Sequence, residues 1–215
     1  MQGDATAERQ MGRPREARTD RAILKATLEL IAEVGVHDFR TEDLAARAGV
    51  GKGAIYRRYR SKDDLVTAAV AALVGEEIAV PDTGSTRADL VALMEGAVEL
   101  YSGSLAGRLM PNLVGAMARK PELARAVREG FLAGRRAALA DVLRRGVERG
   151  ELRPDLDLEL ALDVLGGPLF YRLLVTGGPI DEQLAQGVAD LILRGFAPDD
   201  PGRAKSRTAR KEQKQ

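Results

Sequence analysis

The sequence predicts an all-α protein, with an N-terminal three-helix helix-turn-helix domain followed by a larger helical domain. Three observations predict it. Apolar residues recur at steps of three and four, and no stretch sustains the two-residue alternation of a half-buried strand. Ser, Thr, Asp, Gly and Pro stand where helices start and stop. Residues 41–59 read as a helix, a glycine-containing turn and a second helix.

Taken in order, residues 1–18 carry almost no hydrophobic pattern and are expected to form a flexible basic arm. Thr19 or Asp20 is positioned to cap a helix bearing Ile23, Thr27, Leu30, Ile31 and Val34, which Gly35 stops. Thr41 reads as an N-cap, with Glu42 and Asp43 in a first turn whose dipole favours acids. Gly49 ends that helix, Val50 and Gly51 turn, and a short helix follows over 52–59. The run Ser61-Lys62-Asp63-Asp64 is a capping-box pattern opening a helix that stops before Pro81. Further helices are expected over 86–104, 105–119, 121–149, 157–176 and 181–196, with Asp157 and Asp181 as caps and kinks at Pro111 and Pro168. The predicted domains are 1–18 as arm, 19–66 as helix-turn-helix, 67–198 as a larger helical domain, and 199–215 as a disordered basic tail.

Composition removes whole classes of chemistry. There is no cysteine and one histidine, His37, among 215 residues. A disulfide scaffold, cysteine-ligated zinc, a thiol nucleophile and a His-paired metal site are excluded, so no cofactor is expected. The carboxylate clusters do not frame a cleft: Glu76 and Glu77 point apart on a helix, and Asp157 frames a cap, so no enzyme is expected. The longest uncharged apolar stretch, Leu65 to Val74, is too short to span a bilayer, and the first 21 residues lack an export h-region. The expected compartment is the cytoplasm. Residues 1–62 carry a net charge of +4, residues 63–202 one of −8 and residues 203–215 one of +5. A basic front on an acidic body suits a polyanionic partner.

A helix-turn-helix reader places its second helix in the major groove, N-terminal end first. Its outward positions here are Gly51, Lys52, Gly53, Ala54, Arg57 and Arg58. Lysine and arginine donate to guanine O6 and N7 or to phosphate, and the Tyr56 hydroxyl reaches phosphate while its ring packs on the helix. Leu44, Ala45, Ala48, Val50 and Ile55 have the spacing of a small core between two crossed helices. Gly12-Arg13-Pro14-Arg15 suits a narrow minor groove through Arg13 and Arg15, the alternative being a solvated tail.

The run from Thr41 to Leu65, TEDLAARAGVGKGAIYRRYRSKDDL, closely resembles the DNA-binding signature of the TetR family of transcriptional regulators. The likeness covers about residues 19–66. It implies a homodimer that binds a palindromic double-stranded operator, acts as a repressor, and lets go when a small molecule enters the C-terminal domain. It further implies that Thr41, Tyr56 and Lys62 bind phosphate, that Lys52, Gly53 and Ala54 face the groove or backbone, and that Arg57 and Arg58 reach bases or phosphate. Two departures stand out. Gly51 replaces a common serine or threonine, which removes one hydroxyl, and Tyr59 replaces a common phenylalanine, so its hydroxyl needs a partner.

The C-terminal body carries a second resemblance over about 145–196, resting on Arg149-Gly150-Glu151-Leu152-Arg153, Asp157 to Ala161, and Gly167 to Leu174. It implies that the last two long helices form a four-helix dimer bundle. The residues agree: the 157–176 helix is apolar on more than one side and needs two partners. Leu165, Leu169, Phe170, Leu173, Val188, Leu191 and Ile192 are the candidate dimer contacts, the alternative being burial within one subunit. Tyr101, Met110, Leu113, Met117 and Phe131 are candidates to line a pocket for an unidentified small, apolar or amphipathic ligand, Met being adaptable, although such residues are more often core. Control by a protein partner, or by no ligand, is the alternative function.

Overall fold

The computed structural model describes residues 5–73 and 78–198, with side chains from residue 16 onward. Among them there are ten α-helices and no strand: α1 (Ala5–Val34), α2 (Thr41–Ala48), α3 (Lys52–Tyr56), α4 (Lys62–Ala71), α5 (Thr86–Gly103), α6 (Leu105–Met117), α7 (Pro121–Ala126), α8 (Ala133–Glu148), α9 (Leu158–Tyr171) and α10 (Glu182–Gly195). Two single π-helical turns, Val127–Leu132 and Arg172–Thr176, interrupt the pattern.

Several expectations change. Helix α1 begins at Ala5, so residues 5–18, read as an arm, are its first turns. Absence of an apolar stripe is not absence of a helix, because Ala, Glu, Gln and Arg are strong helix formers by themselves. Asp20 therefore caps nothing, and its carboxylate instead accepts the Tyr59 hydroxyl at 2.5 Å. Arg40, in extended conformation, is the N-cap of α2, and Thr41 is its first helical residue. Helix α4 stops at Ala71, well short of Pro81. The helix expected over 121–149 is α7, a π turn and α8 in succession. Ser61, Asp157 and Asp181 are N-caps as expected, each accepting the backbone N–H three residues on. The box at Ser61 is closed one residue early, with Asp64 accepting from the Arg60 N–H at 3.0 Å. The tail expected over 199–215 lies outside the described residues.

The chain divides into two compact units. The first takes residues up to Glu77 together with Gly103–Gly134, and the second Ile78–Ser102 together with the residues from Arg135 on. This cut does not follow the linear sequence: α6 and α7 group with the helix-turn-helix rather than with α5, α9 and α10.

In the first unit α1 packs on α2, α4 and α6, and α4 packs on α7. Ile23, Ile31, Leu44, Ile55, Leu65 and Val66 are almost wholly withdrawn from solvent. Burying side chains of this size contributes about 1.5–3 kcal/mol each. Lys120, the N-cap of α7, ties back to α4 through Asp63 at 2.5 Å.

The second unit is organised around α5, α8, α9 and α10, whose buried Leu90, Met94, Leu143, Leu165, Ala185 and Ile192 belong to one cluster. One close approach constrains it: a Cβ on Gly146 would stand 2.6 Å from Thr86 Oγ1 and 2.9 Å from Leu152 Cδ1. Beside it lies a fully buried carboxylate, Asp89. Burial alone would raise its pKa, but hydrogen bonds from the Thr83 N–H (2.9 Å) and hydroxyl (2.7 Å), with Arg145 and Arg149 nearby, outweigh burial and hold it below the ordinary value. This network ties the 81–85 loop and the start of α5 to the end of α8. Pro168 lies inside α9, and the π turn follows four residues later, where Gly177 in the left-handed region closes it on the Arg172 carbonyl.

Candidate nucleic-acid interface

Helices α2 and α3 are joined by Gly49 at φ 67°, a conformation that costs glycine little. The N–H of Val50 returns to the Ala45 carbonyl at 3.0 Å and satisfies a helix-end acceptor. Leu44, Ala45 and Ile55 are buried between the helices, and this small core turns α3 so that its other side faces solvent.

Lys52, Gly53, Tyr56 and Arg57 are exposed there, Ala54 and Arg58 half-buried. Tyr56, 63% exposed, stretches its hydroxyl to 3.4 Å from Thr41 Oγ1. The two expected phosphate ligands, one from each helix, thus meet at one point. Lys52 pairs with Glu42 in the first turn of α2. That hydrogen bond raises the lysine's pKa and lowers the glutamate's, so both stay charged. The guanidinium of Arg57 lies back along the helix, its Nη1 3.3 Å from where a Gly53 Cβ would stand. Arg58 turns inward and donates to the Ala54 carbonyl at 3.0 Å. The face combines two exposed cations, a tyrosine hydroxyl and two glycines that let a backbone come near.

One expected residue is largely committed elsewhere. Lys62, the first residue of α4, donates to the carbonyls of His37 and Phe39 at 2.7 Å each, with its ammonium 4.0 Å from the centre of the Phe39 ring. Burial pushes its pKa down, and neighbouring Lys120 adds to that. Two of its three donors hold the α1–α2 connector, leaving one for phosphate. Arg13 and Arg15 fall in α1, and their side chains lie outside the described residues. Tyr59 is buried, and burial together with the bond to Asp20 pushes its phenol far above the usual value. The sequence missed Glu42 and Asp20 as partners. The i to i+10 and i to i+39 separations carry no local pattern that would have shown them.

The ligand candidates split between the units. Met110, Leu113 and Phe131 are buried and Met117 half-buried in the first. Tyr101 is in the second, edge-on to Phe170 with ring centres 5.5 Å apart, its phenol pushed up to about 12 by burial. The dimer candidates differ in exposure. Leu165, Leu169, Val188 and Ile192 are no more than 5% exposed within one chain, so they have no surface to offer a partner. Phe170 and Leu173 are half-buried, and only Leu191 is open. The open apolar residues are Leu160, Tyr171, Leu174 and Val175 along α9 and its π turn, with Leu191 on α10, and Val164 is half-buried between them. On α9 they form the second face of a helix whose first face fills the core.

Comparison with known proteins agrees with this geometry. Residues 23–69 match the family described as bacterial regulatory proteins, tetR family, and residues 80–192 match the tetracyclin repressor-like C-terminal domain. The chain is 34% identical to the HTH-type transcriptional regulator YdeS of Bacillus subtilis, over 86% of this chain and 91% of that one. Among solved structures it resembles the TetR family transcription regulator SCO0332, at 32% identity, a TM-score of 0.62, and coverage of 84% of this chain and 99% of that one. It shares the fold of a FadR from Bacillus subtilis solved with stearoyl-CoA, at 22% identity and a TM-score of 0.63, over 82% of this chain and 98% of that one.

Proposed function

Because the chain belongs to the TetR family of DNA-binding transcriptional regulators, which are not enzymes, we propose that it works as a homodimeric repressor that holds a palindromic operator and releases it when a small amphipathic or apolar molecule binds. The observation that carries the reading is the outer face of α3, where Lys52, Tyr56 and Arg57 stand free of the core that Ile55 anchors. Phosphate contacts from Tyr56, Thr41 and the spare donor of Lys62 supply affinity, and Lys52 and Arg57 supply discrimination between bases. Dimerisation uses the open stripe of α9 and α10, not the residues buried beneath it. Gly167 and Gly187, exposed on those helices with open space around them, let a partner helix come close.

The ligand is met by α6 and the π turn after α7, where Met110, Leu113, Met117 and Phe131 lie in the same compact unit as the reading helices. The domain family and the acyl-CoA held by the FadR that shares this fold support a ligand with an apolar tail. The protein works in the cytoplasm, where its operator is, and no helix among the described residues is long and apolar enough to cross a membrane.

Selection from a random duplex library by the full-length protein tests the reading. An inverted repeat is expected, with binding weakened by salt in proportion to the phosphates contacted. A monomer at micromolar concentration that enriches no repeat defeats it. Stearoyl-CoA and shorter acyl-CoAs are the first release probes.

A further inference from the structure

Residues 35–40 connect α1 to α2 and decide the direction in which α2 leaves. Side chains from two other helices bond to backbone carbonyls of this connector and of the α1 turn that leads into it. Lys62 of α4 holds its far end through His37 and Phe39. At the near end, the Ile31 carbonyl in the last turn of α1 accepts from the Gly35 N–H at 3.0 Å and from Nδ2 of Asn112 at 2.9 Å. A carbonyl at a helix C-terminus has lost its usual i+4 partner or shares it, and commonly turns to water. Here α6 supplies the second donor. The Asn112 Oδ1 lies on the other side, 3.5 Å from where a Cβ on Gly35 would stand, and Gly35 has φ 91°. Asn112 follows the helix-interior Pro111 and sits between Met110 and Leu113, both 1% exposed.

We infer that Asn112 is a positioning residue: its bond to the Ile31 carbonyl sets the attitude of α1, α2 and α3 on α6, and so the separation at which the two reading heads of the dimer meet DNA. The inference rests on the dimeric DNA-binding reading above. Helix α6 packs on α1, and α7 packs on α4. Apolar contact of this kind is non-directional and lets one helix slide or tilt on another. A hydrogen bond weakens steeply off its axis and does not. Two directional ties join the α6–α7 pair to the reading helices: Asn112 to Ile31 at one end, Lys120 to Asp63 at 2.5 Å at the other. Two such points fix an angle that one leaves free. Half-sites in register on one face lie about 34–36 Å apart, and one base pair is about 3.4 Å of rise. A small tilt about the end of α1 is therefore read as a change of spacer length. Asn112 also stands in sequence between Met110 and Leu113, two buried α6 residues proposed to meet ligand, and a shift of α6 reaches the connector without passing through α4.

The test is a spacing scan. The half-site selected by the wild-type protein is placed in inverted pairs with spacers of increasing length, and binding is measured for wild type, Asn112→Leu and Asn112→Asp. Leucine keeps the volume and loses the donor, and aspartate turns a charge towards the carbonyl. Circular dichroism and sedimentation establish fold and assembly first, with Asn112→Ser as a further variant should Asp not fold. The expected result is an unchanged half-site sequence, a preferred spacing that broadens by at least one base pair, and about a tenfold loss at the best spacing. A structural role alone lowers binding at every spacing in proportion. That pattern, or a profile like the wild type's, overturns the proposal. A wild type that selects no paired half-sites instead refutes the dimeric reading beneath it.

Discussion

Helices α3 and α10 both press one side into a core and leave the other open. On α3 the buried residue is Ile55, and the open side carries Lys52, Tyr56 and Arg57. On α10 the buried side is Leu184, Ala185, Val188 and Ile192, and the open side carries Gly187 and Leu191. The chemistry of an open face decides how it can be recognised. Polar residues on α3 mark themselves as outward whatever the fold. On α9 both sides are apolar, and on α10 the open Leu191, among exposed Gln183, Gln186 and Arg194, stands beside the buried Ile192, so these two neighbours differ in role although they hardly differ in chemistry.

The contrast can be broken most forcefully at that neighbouring pair. Ile192→Asp puts a charge at a fully buried site and is expected to cost at least about 3 kcal/mol, lowering the melting temperature sharply. Leu191→Asp, at a site 56% exposed, is expected to keep native helicity while sedimentation shows monomers. Equal loss of stability in both would mean that the two sides of α10 are not distinct. Gly146→Ala tests the second unit from inside: its methyl meets Thr86 and Leu152 below 3 Å, for a cost of about 1–3 kcal/mol in chemical denaturation.

Acid sharpens the comparison further. The folded pKa of Asp89 is lowered, so the stability it contributes is complete above the ordinary aspartate value of 3.8 and is lost as pH falls from there through the folded value. The lowered pKa of Glu151, which accepts the Thr86 N–H at 2.9 Å, acts in the same direction. Denaturation followed from pH 6 down to pH 2 should therefore show wild type losing stability below about pH 4, and Asp89→Asn losing less over that interval. The smallest effect is expected at Tyr59→Phe, which removes the bond to Asp20 and costs about 0.5–1.5 kcal/mol without changing the DNA sequence selected.

The sequence made the reading face legible because its residues are adjacent and polar. Ser61, Asp157 and Asp181 were equally legible as caps, since a cap is a local device spanning three residues. The first turns of α1 were not, because they present no apolar stripe and carry Gly12 and Pro14. Leu165 and Leu169 of α9, expected at a dimer contact, are buried within one chain instead. The heptad-like leucines Leu158, Leu162, Leu165 and Leu169 are the stronger stripe, and a strong stripe goes to the core first. Asn112 left no trace, since one asparagine in an apolar helix has many explanations until its partner 81 residues away is known.

Helix α3 is only five residues long. A helix of that length has almost no stability of its own, so α3 exists because Ile55, the turn at Gly49 and the tie from Tyr59 to Asp20 hold it in place. Its outward residues contribute little to that support. Lys52, Gly53 and Arg57 can therefore be exchanged at small cost to folding, and a duplicated copy of this chain can drift to a new target sequence while its body stays intact. The reading surface is free to evolve because the helix that carries it is held together from behind.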